Sequence, residues 1–347
     1  RNTEPWRAAV RRECEGVRDH AGIMDHGGFT RYEVAGPDAG RFLDRVFCGR
    51  LPEPGRVKLA YMLTDSGKIW GESTIARLEA DRFLLCGPTL ADRRDHDWLR
   101  SQRVARESVT LTLGSQRDAA LMVMGPRSRE LLSALTDADL SVDTMPWMSV
   151  SQICVAGIEC TAMRVSYVGE LGWELHLASK NLRALYDAIQ EQGRGFGLVD
   201  FGSYALNSMR IEKAYHAWGA DLGAEYTPFD AGIEKFVDFN KPDFRGRSAV
   251  LAKREMKPDW RFVRLLVDDA GAEPLSGDPI LLADECVGYV TSGGYGFRVD
   301  ETLALGYIQS HVDENIEGLD VLVLGKRCRA TIVAHAFYDP VNERCRA

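Results

Sequence analysis

Residues 164–175, RVSYVGELGWEL, hold the local pattern on which the fold of this 347-residue chain turns. They open as a short alternating strand, break at Gly169 and Gly172, and resume as a strand over residues 173–177. Glycine tolerates the backbone angles of a tight reversal, so Tyr167 and Glu174 stand on either side of a relaxed turn. A ring and a carboxylate converging on one pocket suit a flat heterocycle that carries N–H donors. An ordinary strand corner with a solvated glutamate would show the same letters, and the flanking sequence has to decide between the two.

Immediately upstream, residues 153–158 and 160–166 read as a strand pair joined at Ala-Gly, and residues 181–192 form an amphipathic helix with Leu182, Leu185 and Ile189 inward. Towards the N-terminus, residues 5–25 show helical spacing of Trp6, Ala9, Val10, Cys14 and Val17, ending towards Gly22. FTRYEV is a strand, and Asp38 is placed to start the helix AGRFLDRVF. Residues 57–63 and IWGESTIARL make a hairpin about the turn TDSGK, residues 81–85 add a strand, and residues 90–102 a helix. A second series follows as VTLTL, AALMVMGP and a helix over residues 128–135, so GPDAGRFLDRVF and MGPRSRELLSAL share one strand–Gly-Pro–helix plan. That repetition points to two related α/β subdomains.

Residues 202–210 are helical, a loop-rich stretch follows, and residues 230–239 form a short helix or strand. The texture changes at residues 257–260. Beyond it come short strands punctuated by glycine, which divides the chain into residues 1–257 and a small β-rich domain over residues 258–347.

Composition closes several functional classes. A formal net charge of −8 without a Lys/Arg run argues against a nucleic-acid partner. Eight cysteines without a CxxC pair read as reduced thiols rather than a metal site. No apolar run reaches membrane-spanning length, and the charged start RNTEPWRAAVRREC is unlike a signal peptide, so a cytoplasmic or matrix-like location is expected. The first residue is Arg1, which leaves open a processed product or the downstream part of a longer polypeptide. SGGYG at residues 292–296 is too short for a dinucleotide fingerprint, and no Walker A, HExxH or nucleophile-elbow pattern occurs. A flavin or nicotinamide held by this chain itself is therefore not expected.

Several longer phrases occur in one order: GIMDHGGFTRYEVAGPDAGRFLDRV, YMLTDSGKIWGESTIARL, RVSYVGELGWELHL, DFGSYALNSMRIEKAYHAWGADL, NKPDFRGRSAV, and VTSGGYGF with LALGYI. Together they resemble the glycine-cleavage T-protein (aminomethyltransferase) family along nearly the whole chain. The branch most like it is the C-terminal, folate-binding region of dimethylglycine and sarcosine dehydrogenases. The resemblance implies an α+β, multi-subdomain aminomethyltransferase fold with a central folate site and a small C-terminal β-barrel-like domain. It implies tetrahydrofolate as cofactor, with the pterin held by Tyr167, Glu174 and Tyr215. A carboxylate can accept two parallel N–H bonds from the pterin edge, which a neutral amide cannot match. Trp218 has two readings, a wall of the same site or a packed core residue.

Three further positions are informative. The family's folate-site arginine corresponds to Leu206, so Arg210 is expected in a structural ion pair near Glu212 instead. Where the family shows an Asp-Asp pair, this chain has Gly71 and Glu72, and the resemblance makes Glu72 the acid/base beside the reacting nitrogen. His26 lies loosely where T-proteins show a His-Met pair and reads as a hydrogen-bonded turn residue. The related iron–sulfur maintenance proteins carry a cysteine phrase where this chain has Phe244, and that function loses its chemical handle.

The implied activity is tetrahydrofolate-dependent transfer of a methyl or methylene unit from a small methylated donor, an N-methyl amine first, to folate N5. A flavin dehydrogenase partner or fused domain would oxidise the donor. Two rivals stay open: a non-catalytic folate-binding module of a larger flavin dehydrogenase, and a glycine-cleavage T-protein proper.

Overall fold

A computed structural model describes residues 5–347 apart from residues 89–90, 115–116, 269–270, 272 and 314–315. The helix α1 spans Pro5–Asp19 and stops short of the expected residue 25, because Ala21–Asp25 is a strand, β1. β1 lies between two partners, pairing parallel with β11 (Leu198–Asp200) and antiparallel with β7 (Asp118–Met124). Ladder bonds on both edges satisfy more of its backbone than a last helical turn would, and tertiary pairing overrides the helical spacing. Gly22 fits there because a side chain would run into the ring of Phe201 at 2.9 Å.

These strands belong to a six-stranded sheet of order β11-β1-β7-β10-β9-β8, with β8 at Val150–Val155, β9 at Ile158–Met163 and β10 at Gly172–Ala178. Residues 164–171 form a loop rather than the expected strand. The buried Arg164 turns away from the sheet to donate to the Met145 carbonyl at 2.6 Å. Strand β10 is buried along all but its last residue. Its fully buried Trp173 packs with Leu131 and Leu132 of α4 (Ser128–Ser133) and Leu185 and Ile189 of α5 (Leu182–Gly193).

A five-stranded sheet of order β3-β4-β5-β2-β6 comprises β2 (Thr30–Ala35), β3 (Val57–Leu63), β4 (Ile69–Glu79), β5 (Arg82–Gly87) and β6 (Thr110–Leu113). It carries α2 (Ala39–Val46) and α3 (Asp92–Ser101); the expected start of α3 at Leu90 lies outside the described residues. Asp38 occupies the N-cap position, but its carboxylate accepts from the Ser108 backbone N–H at 3.0 Å rather than capping the helix. The sheets meet through Val57 and Ala76 on one side and Val150 and Met163 on the other.

Both Gly-Pro corners adopt one geometry. Gly36 has φ +125° and Gly125 φ +114°, and a Cβ at either position would meet backbone carbonyls, those of Val17 and His20 at 2.6 Å in the case of Gly125. The repeated phrase thus marks the same strand-to-helix reversal twice. Gly125→Ala is expected to destabilise the protein by about 1–3 kcal/mol, from the disfavoured φ alone, measurable by urea denaturation.

The helix α6 (Ser203–Glu212) leads through a loop to a single 3₁₀ turn at Glu234–Phe236, where a short helix or strand was expected, and then to α7 (Arg247–Arg254). Next comes a closed barrel of order β12-β15-β14-β13-β16-β17. Its strands are β12 (Trp260–Val267), β13 (Pro279–Leu282), β14 (Glu285–Gly296), β15 (Glu301–Gln309), β16 (Leu319–Val323) and β17 (Lys326–Ile332). A short helix, α8 (Glu343–Arg346), ends the described chain. Tyr61 and Leu63 of β3, Ile211 of α6 and Phe262, Leu303 and Tyr307 of the barrel share one core cluster, so three units close around a common centre.

Candidate functional site

Strand β10 sets the first group. Glu174 faces away from the Trp173 core by strand alternation and is 9% exposed. Its Oε2 lies 3.2 Å from His176 Nε2, and its Oε1 lies 3.8 Å from His26 Nε2. Burial pushes the Glu174 carboxyl up, but His26, the His176 hydrogen bond and the Arg31 guanidinium outweigh it, and its pKa falls to about 2. Burial conversely drives His26 down to about 4, against the pull of Glu174, so its ring is neutral near pH 7. The carboxylate is therefore anionic and buried, with hydrogen-bonding capacity on Oε1 not taken up by any contact under 3.5 Å between described groups.

Of the two glutamates in residues 164–175, only this one has such spare capacity. Glu170 is 1% exposed and engaged by Arg298 at 2.9 Å, Tyr338 at 2.8 Å and Arg344. It joins the loop before β10 to the barrel and the C-terminal segment.

Tyr167, in the loop before β10, and Tyr215, after α6, stack with centroids 6.0 Å apart and planes at 19°. Slotting a flat heterocycle between two rings needs about 7 Å, twice a normal carbon contact, so the pair forms one wall rather than two jaws. Both hydroxyls are engaged: Tyr167 donates to the His216 carbonyl at 2.8 Å, and Tyr215 donates to Asn342 Oδ1 at 3.2 Å. Burial holds both phenols well above their ordinary range. What they offer is a ring face. Tyr167 packs in the same cluster as Met122, the register partner of Glu174 on β7, and Leu206 fills the position of the family arginine there with an apolar side chain.

Glu72 stands on β4, half-buried, paired in register with Tyr61 on β3. Burial raises its pKa to about 7, with the nearby Tyr61 hydroxyl lowering it and the charge of Asp221 raising it. A carboxyl that exchanges its proton near neutral pH is suited to general acid–base work. Its charge also contributes to the raised phenol of Tyr167.

Arg210 is buried, and its partner is Asp221 at 2.6 Å rather than a group near Glu212; it also donates to Ser292 at 2.7 Å and to the Tyr215 carbonyl at 3.1 Å. It fixes the loop that carries Tyr215. Trp218 packs on the central cluster, and the Arg94 guanidinium lies 4.7 Å above its ring. His26 stacks on Phe29 with centroids 3.7 Å apart and, as expected of a turn residue, accepts a backbone bond from Phe29 N–H at 3.5 Å, while its ring Nδ1 has no hydrogen-bond partner among the described residues. Among the described residues no group of three or more His, Cys, Asp or Glu side chains is placed to hold a metal.

Tyr61, His176 and Arg31 are absent from the sequence reading. His176 was within reach of it, because strand alternation puts residue 176 on the face of residue 174. Tyr61 and Arg31 depend on cross-strand register and on contacts between sheets, which a single sequence does not carry.

Comparison with known proteins gives the family. The family model described as "GCVT N-terminal domain" matches residues 1–241, and that described as "Glycine cleavage T-protein C-terminal barrel domain" matches residues 261–339. Human mitochondrial dimethylglycine dehydrogenase is 32% identical over 335 residues, which cover 94% of this chain and 38% of that protein. The aminomethyltransferase of Thermoanaerobacter sp. (strain X514) is 28% identical, covering 94% of this chain and 88% of its own. The crystal structure of glycine cleavage system aminomethyltransferase T from Bartonella henselae superposes with a TM-score of 0.85 at 24% identity, over 95% of this chain and 90% of that one, and shares the fold. This chain thus spans under two fifths of the dimethylglycine dehydrogenase it matches. With one family model over its sheets and a second over its barrel, the chain belongs to the glycine cleavage T-protein family.

Proposed function

We propose that this chain is a tetrahydrofolate-dependent one-carbon transferase that moves a methyl or methylene unit from a methylated donor, an N-methyl amine, to N5 of folate. The observation that carries the reading is the buried, ionised Glu174 with spare acceptor capacity, beside an aromatic wall. A pterin presents adjacent N–H donors and a flat ring, so the residues present fit it. When bound, tetrahydrofolate supplies the nucleophilic nitrogen that takes up the one-carbon unit. Glu174 orients its donor edge, the Tyr167–Tyr215 wall limits its tilt, and Glu72 accepts a proton at its carboxylate as the transfer proceeds.

Relatives named as dehydrogenases, of which this chain spans only a part, support a flavin-bearing partner or fused domain as the oxidant of the N-methyl group. No described helix is long and apolar enough to cross a membrane, and we place the protein in the cytoplasm or a matrix-like compartment.

Calorimetry with 5-formyltetrahydrofolate tests the assignment. The unaltered chain is expected to bind, and Glu174→Gln to bind about 100-fold more weakly, because charge-assisted bonds contribute more than neutral ones. Equal affinity for the two proteins would remove Glu174 from the site. Turnover assays with an N-methyl amine and with an aminomethyl-lipoyl carrier then separate this reading from a glycine-cleavage aminomethyltransferase.

A further inference from the structure

Behind Glu174 runs a line of side chains that reaches the other sheet. Arg31, on β2 and 1% exposed, is oriented by carbonyls of the preceding loop: Nη2 donates to His26 O at 2.8 Å, and Nη1 to Phe29 O at 3.0 Å and Gly27 O at 3.2 Å. Its Nε lies 3.1 Å from His176 Nδ1. A guanidinium nitrogen only donates, so Nδ1 accepts, and the ring proton must sit on Nε2, which faces Glu174 Oε2 at 3.2 Å. A second proton on Nδ1 would point at the Arg31 N–H. The tautomer is fixed by geometry.

We propose that Arg31 and His176 are positioning residues for Glu174: the Arg31–His176–Glu174 chain takes one acceptor position on Oε2, holds the carboxylate plane, and leaves Oε1 and the second acceptor position of Oε2 to a ligand bearing paired N–H donors. The proposal rests on the folate reading above and names the groups that make its acidic anchor work. Outer partners of this kind fix both the orientation and the charge of a binding group. The charged and titratable groups facing Glu174 are His26 from the loop after β1, Arg31 from β2, Cys86 from β5 and His176 on β10 itself. The strands flanking it, β7 and β9, oppose it with Met122 and Met163. With the His176 donor removed, burial is opposed only by His26 and the Arg31 guanidinium, and Glu174 takes up its proton at a higher pH than in the unaltered protein.

The test is the affinity for 5-formyltetrahydrofolate between pH 5 and 8 in the unaltered protein, His176→Leu and His176→Gln. Glutamine keeps an N–H to donate to Glu174 and an oxygen to accept from Arg31. The unaltered protein should bind equally across the range. His176→Leu should bind about 10- to 100-fold more weakly and lose further affinity as the pH falls towards 5, while His176→Gln recovers most of the loss. Unchanged affinity and a flat profile in His176→Leu would overturn the proposal, as would a Gln variant no better than Leu. Should His176→Leu fail to fold, ¹⁵N-histidine spectra of the unaltered protein decide: a neutral ring protonated on Nε2 is expected, and a charged or Nδ1-protonated ring refutes it. Absence of probe binding by the unaltered protein would sink the folate reading itself, a result separate from the tautomer.

Discussion

Glu72→Gln is expected to lower kcat by about 10²- to 10⁴-fold, the usual contribution of a positioned acid–base group, while 5-formyltetrahydrofolate affinity stays close to that of the unaltered protein. The argument is one of position and charge. Glu72 lies opposite Tyr61 at the centre where the five-stranded sheet, the loop after α6 and the barrel meet, whereas the Glu174 carboxylate lies on the other sheet. Removing Glu72 therefore leaves the proposed anchor intact. Its pKa of about 7, raised mainly by burial, gives the test a second axis. If the ionised form accepts the proton, kcat climbs as the pH rises through 7, and the glutamine variant has no such limb. The neighbouring Tyr61 hydroxyl favours the ionised form, so Tyr61→Phe should move the limb to higher pH rather than abolish it. A glutamine variant that keeps full kcat, or an unaltered protein whose profile is flat from pH 6 to 8, would rule out proton transfer at Glu72.

Strand alternation and glycine placement made much of the fold legible, since most strands alternate or run apolar within short distances along the chain. Contacts distant in sequence were not legible. Nothing in AGIMD says that residues 118–124 and 198–200 will flank it, so the helical spacing runs on through β1. The two glutamates of residues 164–175 look alike as letters; burial of Glu170 among Arg298, Arg344 and Tyr338 separates their roles. Arg210 shows the same limit. Its helix suggests a partner near Glu212, one turn away at most, but the loop after α6 brings Asp221 back over it.

That separation of roles leads to the second large effect. Arg298→Met is expected to destabilise the protein by about 3–5 kcal/mol at neutral pH, the range found when one member of a buried ion pair is removed. Arg298 sits on the turn between β14 and β15 and is fully buried with its two carboxylate partners. Nε meets Glu212 at the end of α6, Nη1 reaches Glu170 at 2.9 Å and the Val168 carbonyl at 2.8 Å, Nη2 reaches the Met209 carbonyl at 2.9 Å, and the guanidinium lies 3.9 Å over the Tyr338 ring. One side chain thus joins the barrel, α6 and the loop that leads to Glu174. Its loss leaves two buried carboxylates short of a cation. Burial already raises the Glu170 carboxyl, against the opposing pull of Arg298 and Arg344, and without Arg298 it rises further. The native state of the variant then binds a proton more readily than its unfolded chain does, so the deficit shrinks as the pH falls and grows as it rises. Urea denaturation at pH 5.5 and pH 8 should show the smaller deficit at pH 5.5. Adding Glu170→Gln to Arg298→Met should recover part of the loss at pH 8, because a neutral amide carries no unpaired charge. A deficit under about 1 kcal/mol at both pH values would mean that the network is no more than a surface-like pair. If the loss is instead large, 5-formyltetrahydrofolate affinity should fall with it, since Val168 and Glu170 lie in the same loop that delivers Glu174 to the site.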